Sequence, residues 1–320
     1  MNRGHYTTVY RPDRPGRAFI VAGSPSGDVI RSEGTPLDLP RGRSFSCEVQ
    51  VRVERLSGVF TTKIGSAGSD ARSYPILACL ATGDGAPDRP WVLISAGVHG
   101  DEIAGIFAAL EFLETRSRTL APWFQFAVLP CVNPSGFELG TLETADGADL
   151  NRLFGIGSPQ PEIVSVESWL RQLQQRFVAT FDLHEISPDY RGEGFVESDN
   201  PRACYLYEIQ SDRARRIGRA LINALPPSFE VCRWPFIYKD CNDEGVVSYP
   251  EACKNAIYAQ QTTFDAYLNA RFTSHSFTLE TPMGWPLEKR VQAHLIWLGT
   301  AMSSLCQMAR SGKPPCQRGS

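Results

Sequence analysis

The chain has 320 residues, enough for one large α/β domain or two small ones. Hydrophobic residues make up 42% and charged residues 21%, and the net charge is −3, which gives no reason to expect nucleic acid or an anionic membrane as a partner. No run approaches the ~20 apolar residues of a membrane span, no apolar signal region opens the sequence, and the nine cysteines contain no Cys-x-x-Cys pair, so the expectation is a soluble, cytoplasmic protein with reduced thiols.

Residues 1 to about 50 are rich in Pro, Gly and Arg, with short apolar pieces at Ala18–Ala22 and Cys47–Val53. The second piece alternates and predicts a half-exposed strand. Residues 1–56 are therefore expected to form a small β-rich appendage, and residues 57–320 the main domain. Tyr74–Leu80 predicts a strand, and Trp91–Ala96 a strand buried on both faces, because it is a short unbroken apolar run. After Gly97 the apolar residues Ile103, Ile106, Phe107, Leu110 and Leu113 fall at helical spacing, predicting a helix over 102–115. A strand at Phe124–Leu129 precedes the turn Asn133-Pro-Ser-Gly136 and the polar loop that ends in Asp149-Leu-Asn151-Arg152. Pro161–Gln175 predicts a helix with Ile163, Val166, Trp169, Leu170 and Leu173 on one face.

Phe177–Leu183 predicts a second buried strand, ending at His184-Glu185. A helix is expected over Ser211–Leu225, a short one over Thr262–Phe272, and a strand over Ser274–Leu279 that ends at Glu280-Thr-Pro282. The closing helix, about 288–310, carries Val291, Leu295, Leu298, Met302 and Leu305 on one stripe. Strands alternating with helices imply a mostly parallel sheet covered on both faces.

His99 and Glu102 lie three apart at a strand-to-helix turn, so both side chains can face one point. His184 and Glu280 also fall at strand ends, and carboxyl ends of parallel strands are neighbours in an open α/β sheet. Two histidines and a carboxylate would leave a fourth coordination position open, which marks a catalytic zinc site and not a structural one. A further carboxylate, Glu280, could then take a proton from water. Asp182 faces the same side of its strand as His184 and could support it. Glu185 points to the opposite face, where a structural hydrogen bond is expected. His5, His275 and His294 match no ligand position and read as ordinary surface or core histidines.

The order His99-x-x-Glu102, Asn133-Pro-x-Gly136, Asp149-x-Asn151-Arg152, His184, Ile257-Tyr258 and Ser276-Phe-Thr-Leu-Glu280 resembles the zinc carboxypeptidases of the carboxypeptidase A type. The short spacing from Glu102 to His184 is more similar to the succinylglutamate desuccinylase and aspartoacylase branch and to bacterial murein-peptide amidases. The resemblance spans about residues 57–310 and implies a mixed, mostly parallel eight-stranded sheet flanked by helices. It implies one zinc ion per chain on His99, Glu102 and His184, with Glu280 as general base. It further implies that Asn151 and Arg152 hold a substrate carboxylate, that Tyr258 closes over the substrate and that Phe264 lies deep in the side-chain pocket. One element of the digestive enzymes is missing, since no Arg or Lys occurs between Asn133 and Asn151 to stabilise an oxyanion. Arg191 and Arg271 are the possible substitutes.

The expected function is a zinc metallocarboxypeptidase that cleaves the C-terminal amide bond of a peptide. The alternative is an N-acyl amino acid deacylase with the same zinc site, and a third reading is a binding module that has lost activity. In both enzymatic readings the substrate carries a free carboxylate beside the scissile bond. An apolar Phe264 in the pocket disfavours C-terminal Lys or Arg, because an unpaired buried cation is costly.

Overall fold

A computed structural model describes residues 6–8, 20–22, 43–69, 72–83, 88–188, 201–251 and 260–310. Two compact units divide between Arg41 and Gly42. In the first, β1 (Tyr6–Thr8) pairs antiparallel with β2 (Ile20–Ala22).

The second unit opens with a π-helical turn, Ser46–Gln50, that runs into α1 (Val51–Glu54). This corrects the strand expected at Cys47–Val53. Phe45, Val49 and Val53 recur every four residues and are all buried in the main core, so the segment satisfies a helical period as well as an alternating one. Glu48 tips the balance locally by accepting the backbone N–H of Ser44 and a hydrogen bond from Arg43, both at 2.8 Å.

There follow β3 (Phe60–Ser69), β4 (Arg72–Ala81), β5 (Trp91–Ala96), α2 (Ile103–Thr115), the single turn α3 (Ser117–Leu120) and β6 (Gln125–Leu129). Next come α4 (Pro134–Leu139), α5 (Pro161–Leu173), β7 (Phe177–Ile186), β8 (Tyr205–Ile209), α6 (Gly218–Asn223), β9 (Phe236–Ile237), β10 (Asp240–Cys241) and β11 (Val246–Tyr249). The chain closes with α7 (Phe264–Arg271), β12 (Ser276–Pro282) and α8 (Leu287–Arg310). The helix expected over Ser211–Leu225 forms only in its second half. Glu208 is buried and accepts the N–H groups of Ile217 and Gly218, so α6 starts there, behind a short turn capped by Asp212.

The eight-stranded sheet has the order β11-β8-β12-β7-β5-β6-β4-β3. Four pairings are parallel and three antiparallel, the mixed architecture expected. One face is covered by α1, α2, α6 and α8, and the other by α5 and α7. The stripe of Val291, Leu295, Leu298, Met302 and Leu305 on α8 is buried throughout. Among the described residues no helix is long and apolar enough to cross a membrane.

Because Phe45 is 1% exposed and packs edge-on against Tyr74 and Phe137, Phe45→Ala should lower the unfolding free energy by about 3–5 kcal/mol. Chemical denaturation checks this. A change under about 1 kcal/mol would mean that this segment is peripheral to the core.

Candidate metal centre

The sheet brings the polar residues together by register. Glu280 on β12 pairs with His184 on β7, and Leu183 pairs with Ala96 at the end of β5, so His99, just beyond β5, arrives beside His184. The turn holding His99 is braced from below. A Cβ on Gly100 would lie 2.1 Å from the carbonyl carbon of Gly136, so Gly100 tolerates no side chain at that crossing. Asn133 caps α4 by accepting Gly136 N–H at 2.8 Å. The Asn133-Pro-x-Gly136 motif is thus a support for the His99 turn.

Glu102 stands between the two imidazoles. Its Oε1 is 2.6 Å from His99 Nδ1 and its Oε2 2.8 Å from His184 Nδ1. The three side chains are buried and offer ligand atoms within 4.8 Å of one another. The far nitrogens face carboxylates. Asp182 Oδ2 is 2.8 Å from His184 Nε2 and is itself held by Ser95 Oγ at 2.6 Å. Asp149 Oδ1 is 3.4 Å from His99 Nε2, an ion-pair contact without hydrogen-bond geometry. Acids behind both imidazoles leave the two Nδ1 atoms for a shared ion. Two nitrogen donors and a carboxylate suit zinc, so the residues fit the metal that the sequence implies.

Burial and mutual attraction oppose each other across the cluster. Burial opposes charge on His99, but Glu102 and Asp149 outweigh it and raise the imidazole to about 9. Burial likewise opposes charge on His184, which Asp182 and Glu102 nevertheless raise well above its ordinary value. Burial would raise Glu102, yet the two imidazoles hold it down at about 2. Glu280 is pushed up to about 8, mainly by burial, and its buried Oε2 has no hydrogen-bond partner.

The pocket in front of the triad is lined by Asn151, Arg152, Glu280 and Asp101, among others. Asn151 Oδ1 accepts the N–H of Phe264, which fixes the start of α7, and Arg152 donates to the carbonyl of Asn151. Phe264 does not lie in this pocket. It is fully buried and stacked on Phe154 at 4.3 Å, while Asp265 lines the pocket. One residue along a helix turns the side chain by roughly 100°, so a one-residue offset exchanges the core face for the pocket face. The proposed substitute Arg271 lies over the Tyr267 ring at 4.5 Å. Tyr258 and Arg191 fall outside the described residues. Tyr205, Tyr207 and Tyr249 also line the pocket. The alternation Tyr205-Leu-Tyr207 was the available sign of β8 carrying two aromatic rings to one face.

A model of the succinylglutamate desuccinylase/aspartoacylase catalytic domain matches residues 88–216, a stretch that contains His99, Glu102 and His184. Murein peptide amidase A of Escherichia coli strain K12 is 43% identical over 156 residues, covering 43% of this chain and 59% of that protein. Over these residues the chain is similar to the desuccinylase and aspartoacylase branch, and it spans less than two thirds of the length of the amidase it matches. A metallopeptidase candidate from Shewanella amazonensis SB2B superposes with a TM-score of 0.62 at 25% identity, covering 80% of this chain and 90% of that one. A metallo-carboxypeptidase from Burkholderia cenocepacia shares the fold at 16% identity, with a TM-score of 0.60 over 82% of this chain and 68% of that one.

A metal bound by these side chains would have to displace the protons that the surrounding carboxylates favour on His99 and His184. His99 is raised to about 9, so zinc affinity should fall as pH drops below about 9, by about tenfold per pH unit for each proton displaced. Competition titrations with a chromogenic chelator across this range measure it. Affinity independent of pH would contradict the arrangement.

Proposed function

We propose that this protein is a zinc metallocarboxypeptidase that cleaves the amide bond next to a free C-terminal carboxylate. The observation that carries this reading is the convergence of His99, Glu102 and His184 within 4.8 Å in a pocket also lined by Glu280 and Arg152. The 43% identical relative is a murein peptide amidase, which acts on bonds of the same class. Zinc held by the three side chains would supply Lewis-acid polarisation and water acidification. Arg152, beside Asn151, pairs with the terminal carboxylate through a planar guanidinium. Glu280, whose buried Oε2 has no hydrogen-bond partner, takes a proton from the attacking water once the nearby cation holds its carboxyl ionised, and returns it to the leaving nitrogen. Asp265 on the pocket wall faces a C-terminal side chain bearing an ammonium, which reverses the expectation built on Phe264. All seven described cysteines are free, which supports a reducing, cytoplasmic compartment.

The family match to a desuccinylase/aspartoacylase domain favours a second reading, an N-acyl amino acid deacylase that uses the same groups. Product analysis on peptides and N-acyl amino acids separates the two.

Glu280→Gln keeps shape but cannot accept a proton. Hydrolysis should fall by ~10² or more with zinc retained, and turnover near that of the wild type would place the base elsewhere. Peptides of one series ending in Lys, Ala, Phe or Asp test the pocket. Lys should be released fastest, with the preference lost in Asp265→Asn. Equal Lys release by both proteins would remove Asp265 from substrate recognition.

A further inference from the structure

Next to the triad lies a buried cluster to which the chemistry above gives no part. The Glu102 carboxylate is turned to the two histidines and makes no cap for α2, so the first-turn N–H groups of that helix need another acceptor. Glu185 supplies it. Its Oε2 accepts Ala104 N–H at 2.7 Å, and its Oε1 accepts Arg290 Nη1 at 2.5 Å and Thr281 Oγ1 at 3.4 Å. The Glu185 backbone N–H meanwhile donates to Glu102 Oε2 at 2.9 Å. One residue thus touches a triad carboxylate through its backbone and the helix behind that carboxylate through its side chain. It is also the immediate neighbour of His184 on β7. The approach of α2 to β7 is close, since a Cβ on Gly105 would lie 2.6 Å from the Leu183 carbonyl oxygen. The side chain of Glu185 is 0% exposed and that of Arg290 10%, so neither charge is solvated.

We infer that Glu185 and Arg290 are positioning residues for the metal triad, fixing α2 with Glu102 against β7 with His184 from a third element, α8. The inference rests on the metal reading of the triad. A pair that served stability alone would be replaceable without effect on the metal. Buried ion pairs can often be exchanged for apolar residues of similar volume at no cost in stability, whereas removing one partner is strongly destabilising. That difference separates the two roles. Arg290 uses only Nη1 toward Glu185, and its Nε has no hydrogen-bond partner, so a lysine can take its place.

The test reads zinc affinity by chelator competition, the visible absorption of the cobalt-loaded protein, and the Tm of the metal-free protein. Arg290→Met should lower both Tm and zinc affinity. The double variant Glu185→Met/Arg290→Met should regain only the part of Tm lost to the uncompensated charge, since Ala104 N–H loses its acceptor, and should bind zinc about 10–100-fold more weakly, with a shifted cobalt spectrum. Arg290→Lys should restore affinity and spectrum. Wild-type zinc affinity and cobalt spectrum in the double variant would overturn the inference. If that variant does not fold, Glu185→Asp decides. It keeps the charge but cannot reach Ala104 and Arg290 together, so zinc should bind at least about tenfold more weakly, and unchanged binding overturns the inference. Failure of the wild-type protein to bind zinc would instead refute the metal reading itself.

Discussion

Both oxygens of the Glu102 carboxylate are committed to imidazoles, one to His99 and one to His184, and the surrounding structure is arranged to hold that bridge. A carboxylate and two histidines at under one-tenth exposure are costly to bury unless each polar atom finds a partner. The protein meets this with further acids at its back, Asp182 and Asp149. This stacking of acids behind imidazoles leaves excess negative charge that a divalent cation would balance.

The sheet makes the bridge possible. Parallel pairing of β5, β7 and β12 puts three strand ends side by side, where side chains distant in sequence meet. Helices on both faces keep these strands dry, and the small residues that let backbones approach, Gly100 against Gly136 and Gly105 against Leu183, set how tightly the loops close on the site. Rigid elements, not loops alone, therefore carry the triad, which suits a site that must fix a metal.

Much of this was legible in the sequence because the relevant signals are local. The apolar run Trp91–Ala96 and the helical spacing from Ile103 to Leu113 gave β5 and α2 to within a residue, and the stripe from Val291 to Leu305 gave α8. Cys47–Val53 is helical and not the expected strand because Val49 and Val53 fit two periods, and burial against the main core selects the helical one. The pocket wall was harder. Phe264 and Asp265 differ by one position at a helix start, and only the packing of Phe264 onto Phe154 determines which of them faces the pocket. Glu185 was legible as a structural hydrogen-bonding group, but its tie to Ala104 and Arg290 depends on elements that meet only in three dimensions.

The zinc site is the claim on which the chemistry stands. Crystals of protein purified without added metal or chelator, measured on either side of the zinc absorption edge, test it most directly. One anomalous peak per chain is predicted, within coordination distance of His99 Nδ1, Glu102 and His184 Nδ1. A triad that holds no anomalous scatterer after growth in zinc-containing buffer, or a zinc peak located elsewhere in the chain, would contradict it.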